Sequence, residues 1–252
     1  MDKGGGAAEV ALVTDGDTGV GREIVRSLAA AGLTVYLGTD DVERGRAAAA
    51  AMRGDVRVVA LDVTDDAEVA AAARRIEDES GRLDVLVNNA GVVVEWGVPT
   101  DEISAALLLA SYEVNVVGVV EVTSACVPLL RRSRAGRVVN LSSLLGSMTF
   151  LADADNPIAQ RGLQAYTSSK AAVNAITLVY ADALRADGIL VDAVSPGRLA
   201  TGPTAAAQFT RSRTTLAEAA QGPVERALLA DAGVGGGDPA PGTGEDPAPA
   251  SR

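Results

Sequence analysis

The chain has 252 residues, of which 48% are hydrophobic, so it can bury one sizeable core without division into several domains. Its 33 acidic residues outnumber its 22 basic residues, and the formal net charge of -11 disfavours nucleic acids and anionic membranes, which bind clustered Lys and Arg. Histidine is absent, which excludes Ser-His-Asp hydrolysis and most zinc chemistry, and no metal site is expected.

Six apolar runs rich in β-branched residues follow one another along the chain. They cover residues 9–14, 33–38, 56–61, 83–88, 136–142 and 188–194. Continuous runs of this kind are typical of strands buried on both faces of a parallel sheet. The Ala-rich segments between them are long enough for helical crossovers. The sequence therefore predicts a single-domain α/β fold with a doubly wound, mostly parallel sheet of Rossmann type.

The composition changes at both ends of the chain. Residues 1–8 are predicted to be a flexible N-terminus, residues 9–232 the folded domain, and the Gly/Pro-rich residues 233–252 a disordered tail. A mobile loop with one short helix is expected after Val194. We find neither a basic segment followed by an apolar leader nor a run of roughly 18 apolar residues, so a cytoplasmic protein without a membrane partner is expected. The excess of Arg over Lys indicates a GC-rich bacterial genome.

A glycine-rich turn, TDGDTGVGREI, follows the first predicted strand and contains Gly16, Gly19 and Gly21. Glycines at this point allow the backbone to approach a pyrophosphate group at the N-terminus of the following helix. A plain strand-to-helix turn can have the same composition. The turn alone therefore leaves both interpretations open.

Six further motifs lie in order along the chain. They are LDVTD at 61–65, NNAG at 88–91, VNVVG around Asn115, NLSS at 140–143, YTSSK at 166–170 and SPG at 195–197. In this order and spacing they resemble the short-chain dehydrogenase/reductase family, from about Glu9 to Thr201. The resemblance implies an oxidoreductase that uses a nicotinamide cofactor to reduce a carbonyl group or oxidise a secondary alcohol, as a carbonyl reductase does.

Tyr166 and Lys170 are four positions apart, so they share one face of the predicted helix. A nearby ammonium group favours the phenolate form of tyrosine, whose ordinary pKa is about 10, and makes the phenol a usable acid and base near neutrality. Only Lys3 and Lys170 are lysines among the 22 basic residues. The alternative interpretation of Lys170 is an ordinary exposed lysine on a helix.

The resemblance implies a role for each residue of the predicted catalytic set. Tyr166 would exchange a proton with the substrate oxygen, and Ser143 would hydrogen-bond the same oxygen. Lys170 would also bind the nicotinamide ribose, and Asn115 would hold a water that links Lys170 to solvent. A strand-end serine that satisfies backbone groups is the alternative for Ser143, and Asn115, a polar residue among valines, needs a buried partner in any case.

The resemblance also implies the cofactor contacts. Asp62 resembles the residue that contacts the adenine amino group, and Asn89 resembles one that lines the cofactor channel, although both residues could instead tie loops together. The predicted cofactor-binding set is Thr14, Gly16, Gly19, Val20, Gly21, Asp40, Asp62, Val63, Asn89, Tyr166, Lys170, Pro196 and Gly197.

Two departures from the family pattern concern the cofactor. Asp15 stands where the family usually has glycine, which places a carboxylate close to the expected pyrophosphate. Relatives with Arg at the position of Asp40 prefer NADP, because the guanidinium accommodates the 2′-phosphate. Asp40 and Asp41 would repel that phosphate, and Thr18 supplies no positive charge. NAD(H) is therefore expected over NADP(H).

Three questions stay open at the level of sequence. Residues 144–165 are longer than in most relatives, which predicts a reshaped substrate pocket or altered subunit packing. The last strand of the family is hard to find near the C-terminus, so a homo-oligomer is possible without a defined contact. The alternatives to an oxidoreductase are a cofactor-sensing or regulatory binding module without turnover, and a redox-neutral epimerase or dehydratase.

Overall fold

A computed structural model describes residues 8–152, 163–196 and 214–229. Its six strands are β1 Val10–Val13, β2 Thr34–Thr39, β3 Asp55–Ala60, β4 Val85–Asn88, β5 Arg137–Leu141 and β6 Leu190–Val194. They form one sheet in the order β3-β2-β1-β4-β5-β6, and every neighbouring pair is parallel. This topology confirms the predicted doubly wound, Rossmann-type sheet. Each bound of a strand lies within two residues of the corresponding bound of its predicted run.

Helices connect the strands and cover both faces of the sheet. They are α1 Gly19–Ala30, α2 Val42–Ala50, α3 Asp66–Ser80, α4 Ala105–Tyr112, α5 Gly118–Leu130, α6 Met148–Leu151, α7 Gln164–Ala183 and α8 Leu216–Ala227. A π-helical turn, Glu113–Val117, joins α4 to α5. The sequence predicted the segments of α1 to α5 and of α7, whereas the four-residue α6 lies within the long segment between Ser143 and Tyr166.

Two apolar layers enclose the sheet because successive strand residues point to opposite faces. Leu12 and Leu86 belong to the layer that packs against α3 and α5. Val13 and Val87 belong to the opposite layer, against α1 and α8. Burial on both faces explains why the strands appear in the sequence as continuous apolar runs.

The strand order reverses at β1, which has β2 on one side and β4 on the other. Crossovers leave this point in opposite directions, so a crevice opens beyond the carboxyl ends of the two neighbouring strands. The predicted glycine turn, the NNAG motif and the NLSS motif all follow strands at this edge of the sheet. The fold therefore places the predicted motifs around one crevice.

One helical run of 26 residues, Ala105–Leu130, is long and apolar enough by length and composition to cross a membrane, with a mean hydropathy of 1.6. Only 28% of its most apolar window is buried. Asn115 lies near its centre, is fully buried, and donates a hydrogen bond to Ser169 of α7. The run is thus a helix of the folded domain whose outer face is apolar.

Candidate active site

The glycine turn is fixed between β1, β2 and the NNAG motif. Gly16 donates a backbone hydrogen bond of 2.9 Å to the Gly38 carbonyl. A Cβ atom at Gly21 would lie 2.2 Å from the carbonyl oxygen of Asp15 and 2.5 Å from Nδ2 of Asn89. Only glycine therefore fits at position 21, which brings the first turn of α1 against the backbone of the loop.

The N-terminus of α1 fits the pyrophosphate of a dinucleotide. Gly19 has a φ of +52°, and a Cβ atom there would meet nothing within 4 Å, so its outer side is open. Thr18 makes no capping hydrogen bond to the helix, and the first turn carries no acidic residue. Uncapped N–H groups beside a glycine surface are the usual anion site at a helix N-terminus. Val20, also predicted as a contact, is half-buried in the same turn.

Thr14 and Asn89 tie the glycine turn to the NNAG motif. The Thr14 hydroxyl accepts the backbone N–H groups of Asn89 and Ala90, each at 2.9 Å. Nδ2 of Asn89 donates to the carbonyl oxygens of Thr14 and Asp15, each at 3.0 Å. The loop-tying interpretation of Asn89 therefore holds. Its contact with the cofactor stays a prediction.

Asp15 is strained and partly neutralised in this turn. It has a φ of 50° and is the one residue other than glycine with a positive φ in the described part of the chain. Burial, together with the charges of Asp17 and Asp40, raises the pKa of its carboxyl group to about 6. The carboxylate that the sequence predicts beside the pyrophosphate is thus present, but its charge varies close to neutral pH.

Arg44 of α2 lies among three carboxylates at the end of β2. Its Nε contacts Oδ2 of Asp17, its Nη2 lies 2.6 Å from Oδ1 of Asp40, and its Nη1 lies 3.4 Å from Oδ2 of Asp41. The hydrogen bonds to Asp17 and Asp40 raise the pKa of Arg44. Sequence reasoning found Asp40 and Asp41 but missed Asp17 and Arg44, although Arg44 stands four residues after Asp40 on a helix.

Asp62 and Val63 follow β3 at the same edge of the sheet. Oδ1 of Asp62 accepts hydrogen bonds from the Thr64 backbone at 2.9 Å and from the Thr64 hydroxyl at 2.7 Å, so it shapes its own loop. Val63 is buried, and a Cβ atom at Gly118 of α5 would lie 2.7 Å from its Cγ2. Pro196 is half-buried after β6, and Gly197 lies outside the described residues.

Tyr166, Ser143 and Lys170 come together beyond β5. The side chain of Ser143 lies beside the phenol of Tyr166, and Nζ of Lys170 lies 5.8 Å from the centroid of the Tyr166 ring. Nζ donates a 2.7 Å hydrogen bond to the Leu141 carbonyl. Burial lowers the pKa of Lys170 to about 8. Burial also raises the pKa of Tyr166, while the Ser143 hydrogen bond lowers it.

The direction of the Tyr166 pKa shift differs from the expectation based on the sequence. The Tyr166–Lys170 spacing predicted a lowered phenol pKa, whereas desolvation raises the pKa of this half-buried phenol by more than the interaction with Ser143 lowers it. The ammonium group of Lys170 is bonded to the Leu141 carbonyl instead of the phenol. Proximity of Tyr166 and Lys170 is therefore as predicted, but direct stabilisation of the phenolate is not seen in the chain alone.

Asn115 sits in the π-helical turn with its amide group fully engaged. Its Oδ1 accepts the Val92 N–H at 2.8 Å, and its Nδ2 lies 2.9 Å from both the Val92 carbonyl and the Ser169 hydroxyl. These are the buried partners that a polar residue among valines requires. A Cβ atom at Gly91 would lie 3.3 Å from both Asn115 Oδ1 and Lys170 Nζ, so glycine leaves space between these two atoms.

Glu95 is a further buried residue at this site, and the sequence reasoning missed it. Its carboxylate accepts the backbone N–H groups of Ala165 and Tyr166 at the start of α7. The signal was visible as the single charge in the apolar stretch VVVEW at 92–96. A lone charge in such a stretch is either exposed or bonded, and the sequence does not decide between these.

The fold and the site define a dinucleotide-dependent oxidoreductase, and comparison with known proteins gives its family. The family model described as short chain dehydrogenase matches residues 9–211. L-fucose dehydrogenase of Bos taurus is 34% identical over 195 residues, which cover 77% of this chain and 67% of that protein. Cyclopentanol dehydrogenase of a Comamonas species is 35% identical over 199 residues, which cover 78% and 75%.

Solved structures agree with the sequence comparison. A metagenomic short-chain oxidoreductase in complex with NADP has a TM-score of 0.70 and 31% sequence identity, covering 88% of this chain and 92% of that chain. The chain belongs to the short-chain dehydrogenase/reductase family. It is an NAD(P)-dependent oxidoreductase, as its motifs predicted.

Proposed function

We propose that the chain interconverts a small carbonyl compound and its secondary alcohol, with Tyr166 as the acid and base. The observation that carries this proposal is the position of Lys170 Nζ, 5.8 Å from the centroid of the Tyr166 ring, with Ser143 close enough to the phenol to lower its pKa. These groups lie beyond the carboxyl end of β5, beside the crevice that the glycine turn borders. Acid, oxyanion partner and dinucleotide site thus share one edge of the sheet.

In the reducing direction, a nicotinamide held in this crevice would supply the hydride that the carbonyl carbon accepts. Tyr166 gives its phenolic proton to the carbonyl oxygen, and Ser143 hydrogen-bonds that oxygen as negative charge develops. Desolvation raises the pKa of the half-buried phenol, so Tyr166 keeps its proton until the carbonyl oxygen becomes basic. The oxidising direction reverses these steps, with the phenolate taking the proton of the alcohol.

After Tyr166 has given its proton to the substrate, Lys170 and Asn115 help to restore a proton to the phenol. Lys170 has a pKa of about 8, so its ammonium group can lose a proton near physiological pH. Gly91 has no side chain, and this leaves space between Asn115 Oδ1 and Lys170 Nζ. A Cβ atom built at Gly91 would lie 3.3 Å from each of these two atoms. We assign this space to a water that passes a proton toward solvent. This agrees with the role that the family resemblance implies for Asn115.

NAD(H) is the cofactor that the charges near β2 favour. Arg44 is the cation nearest to the predicted ribose site, and Asp17, Asp40 and Asp41 already neutralise it. A 2′-phosphate would meet an excess of negative charge there, whereas a carboxylate can accept hydrogen bonds from ribose hydroxyl groups. The glycine turn and α1 would hold the pyrophosphate, and Lys170 the nicotinamide ribose.

Cofactor titration tests this preference. Wild-type protein is expected to bind NADH at least tenfold more tightly than NADPH, and Asp40→Arg to reverse the order. Fluorescence titration gives both dissociation constants. Asp66→Arg, which adds the same charge at the exposed start of α3, is the control and is expected to leave the order unchanged. Tighter binding of NADPH by the wild type would contradict the proposal.

Substitution of the phenol tests the proposed reaction. Tyr166→Phe is expected to lower kcat by at least about 1000-fold, because the proton donor is removed, while NADH binding stays nearly intact. Tyr180→Phe, on the same helix and with its hydroxyl near exposed Ser124, is the control and should keep full activity. Cyclopentanol and L-fucose, which two relatives are named for oxidising, are the first substrates to try with NAD. Full turnover by Tyr166→Phe would exclude the mechanism.

A regulatory binding module is the second candidate, and Asp15 favours it. A carboxylate in the glycine turn weakens the binding of a pyrophosphate, as a protein that responds to cofactor concentration would require. Binding of NADH without turnover of any alcohol or ketone would support this candidate. Cytoplasmic localisation, bacterial origin and the absence of nucleic-acid and membrane partners stay predictions from composition.

A further inference from the structure

A buried carboxylate outside the predicted catalytic set holds the backbone of Tyr166. Glu95, in the loop after β4, is 0% exposed. Its Oε1 accepts the Tyr166 N–H at 2.7 Å, and its Oε2 accepts the Ala165 N–H at 2.9 Å. Burial of a carboxylate is unfavourable unless hydrogen bonds replace its hydration, and both of its oxygens are bonded here. The contact spans about 70 residues of sequence.

The start of α7 needs such a partner. Ala165 and Tyr166 are the second and third residues of the helix, and their N–H groups have no acceptor within it. Leu163 occupies the N-cap position and provides no side-chain acceptor. The carboxylate of Glu95 supplies both acceptors, and its negative charge suits the positive end of the helix. The conformation of Tyr166 is therefore set from another element.

The same loop also fixes Asn115, which links the two ends of the site. Val92 exchanges hydrogen bonds of 2.8 and 2.9 Å with the Asn115 side chain. Nδ2 of Asn115 also donates to Ser169, whose hydroxyl donates a 2.7 Å bond to the Tyr166 carbonyl. Glu95 holds the N–H of Tyr166, so both backbone polar groups of this residue are tied to the loop after β4. The hydrogen bonds of this network therefore fix the backbone of Tyr166 on both sides.

We propose that Glu95 is a positioning residue that holds the Tyr166 phenol beside Ser143 and Lys170. Glu95 acts through the backbone of Tyr166 and does not touch the substrate. The proposal rests on the proposed role of Tyr166 as acid and base. Loss of one acceptor allows the first turn of α7 to shift, and a small misplacement of a reacting group lowers the rate strongly.

Glu95→Gln is the direct test, because the amide keeps the shape but retains a single acceptor oxygen. We expect kcat to fall about 10- to 100-fold, with the Kd for NADH unchanged. Glu95→Asp, which keeps the charge with a shorter reach, should lower kcat in the same direction. The control is Asp65→Asn, since Asp65 caps the second and third residues of α3 at 2.8 and 3.1 Å in the same manner. This control should lose stability without losing kcat.

Two further measurements separate positioning from general destabilisation. Backbone hydrogen exchange in the first turn of α7 is expected to accelerate in Glu95→Gln and to stay unchanged in α1. In a Tyr166→Phe background, Glu95→Gln should no longer lower the residual rate, because the phenol through which it acts is absent. An unchanged kcat in Glu95→Gln, or an equal loss in both backgrounds, would overturn the inference. Full activity of Tyr166→Phe would instead remove the proposed function itself.

Discussion

At the scale of single residues, Asp15 carries the clearest dependence on pH. Its pKa of about 6 lies above the ordinary value of 3.8, mainly because of burial, so the ionised form is disfavoured in the folded protein. For a carboxyl group with a raised pKa, the loss of stability is complete above the folded pKa and vanishes below the unfolded value. Asp15 therefore destabilises the protein above about pH 6 and not near pH 4.

Asp15→Asn should remove this destabilisation. We expect the free energy of unfolding to rise by about 1 to 2 kcal/mol at pH 8 and to change little near pH 4, because asparagine also tolerates a positive φ. Urea unfolding at both pH values measures the difference. Glu43→Gln, at a side chain that is 81% exposed, is the control and should show no such dependence. An equal gain at both pH values would assign the effect to backbone conformation instead of charge.

The same group predicts the pH dependence of cofactor binding. As the pH falls from 8 to 6, protonation of Asp15 removes a negative charge beside the N-terminus of α1. Wild-type protein is therefore expected to bind NADH more tightly at pH 6 than at pH 8, whereas Asp15→Asn should bind with nearly constant affinity. Fluorescence titration across this range checks the prediction. A constant affinity in the wild type would show that the carboxylate does not face the pyrophosphate.

The residue scale also shows what the sequence could reveal. Tyr166, Lys170 and Ser143 were predictable because ordered motifs mark them, and the structure brings them together. Glu95 was not, because its contact with α7 crosses about 70 residues and depends on tertiary structure. The raised pKa of Tyr166 was missed for the same reason, since burial is not visible in a helical spacing.

At the scale of elements, a buried polar ladder fastens α7 to the sheet. Asn88 of β4 donates to Asn140 of β5 at 2.8 Å and to Thr123 of α5 at 3.0 Å, and Asn140 donates to Thr177 of α7 at 2.9 Å. All four side chains are nearly fully buried. The ladder therefore couples the position of the helix that carries Tyr166 to the neighbouring strands β4 and β5.

Asn140→Ala is expected to lower the free energy of unfolding by about 2 to 4 kcal/mol, because Asn88 and Thr177 each lose a buried hydrogen bond and the side-chain volume of Asn140 is removed. Thr123→Val removes a terminal partner of similar shape and should lower it by only about 1 kcal/mol. Thermal or urea unfolding of both variants gives the comparison. Equal losses would mean that the ladder does not act as a connected unit.

The elements were predicted unequally well, for physical reasons. Strands in the interior of a covered sheet leave continuous apolar runs, so all six strands appeared in the sequence, with each bound within two residues of the predicted run. The helix α8 begins with a capping box in which Thr215 and Glu218 bond reciprocally, a Thr-x-x-Glu signal that was overlooked. The π-helical turn around Asn115 could not be predicted, because its extra residue is held by contacts with Val92 and α7.

At the scale of the whole molecule, exposed apolar side chains lie on the helices α4 and α7. Leu109 is 68% exposed and Val179 69% exposed. The hydroxyl groups of Ser124 and Tyr180 approach to 3.3 Å, which shows that α5 and α7 adjoin on this side. Monomeric proteins rarely leave a large apolar patch uncovered. We therefore propose that a second copy of the chain covers this face.

Val179→Asp should weaken the assembly, because it places a charge in the proposed contact. We expect a dimer or larger oligomer for the wild type and a smaller species for the variant, measured by light scattering after gel filtration. Leu228→Asp, at an exposed apolar residue after α8, is the control and should keep the wild-type mass. A monomeric wild type at micromolar concentration would contradict this prediction.

Net hydride transfer at the Tyr166 site is the property on which the proposed function depends. The most direct measurement follows NADH absorbance and proton release together while the purified protein converts cyclopentanol or L-fucose with NAD. For whichever alcohol is turned over, we predict one NADH and one proton per carbonyl product, and neither with Tyr166→Phe. Product formed without net NADH would indicate redox-neutral chemistry, and undiminished NADH formation by Tyr166→Phe would contradict the proposed acid and base.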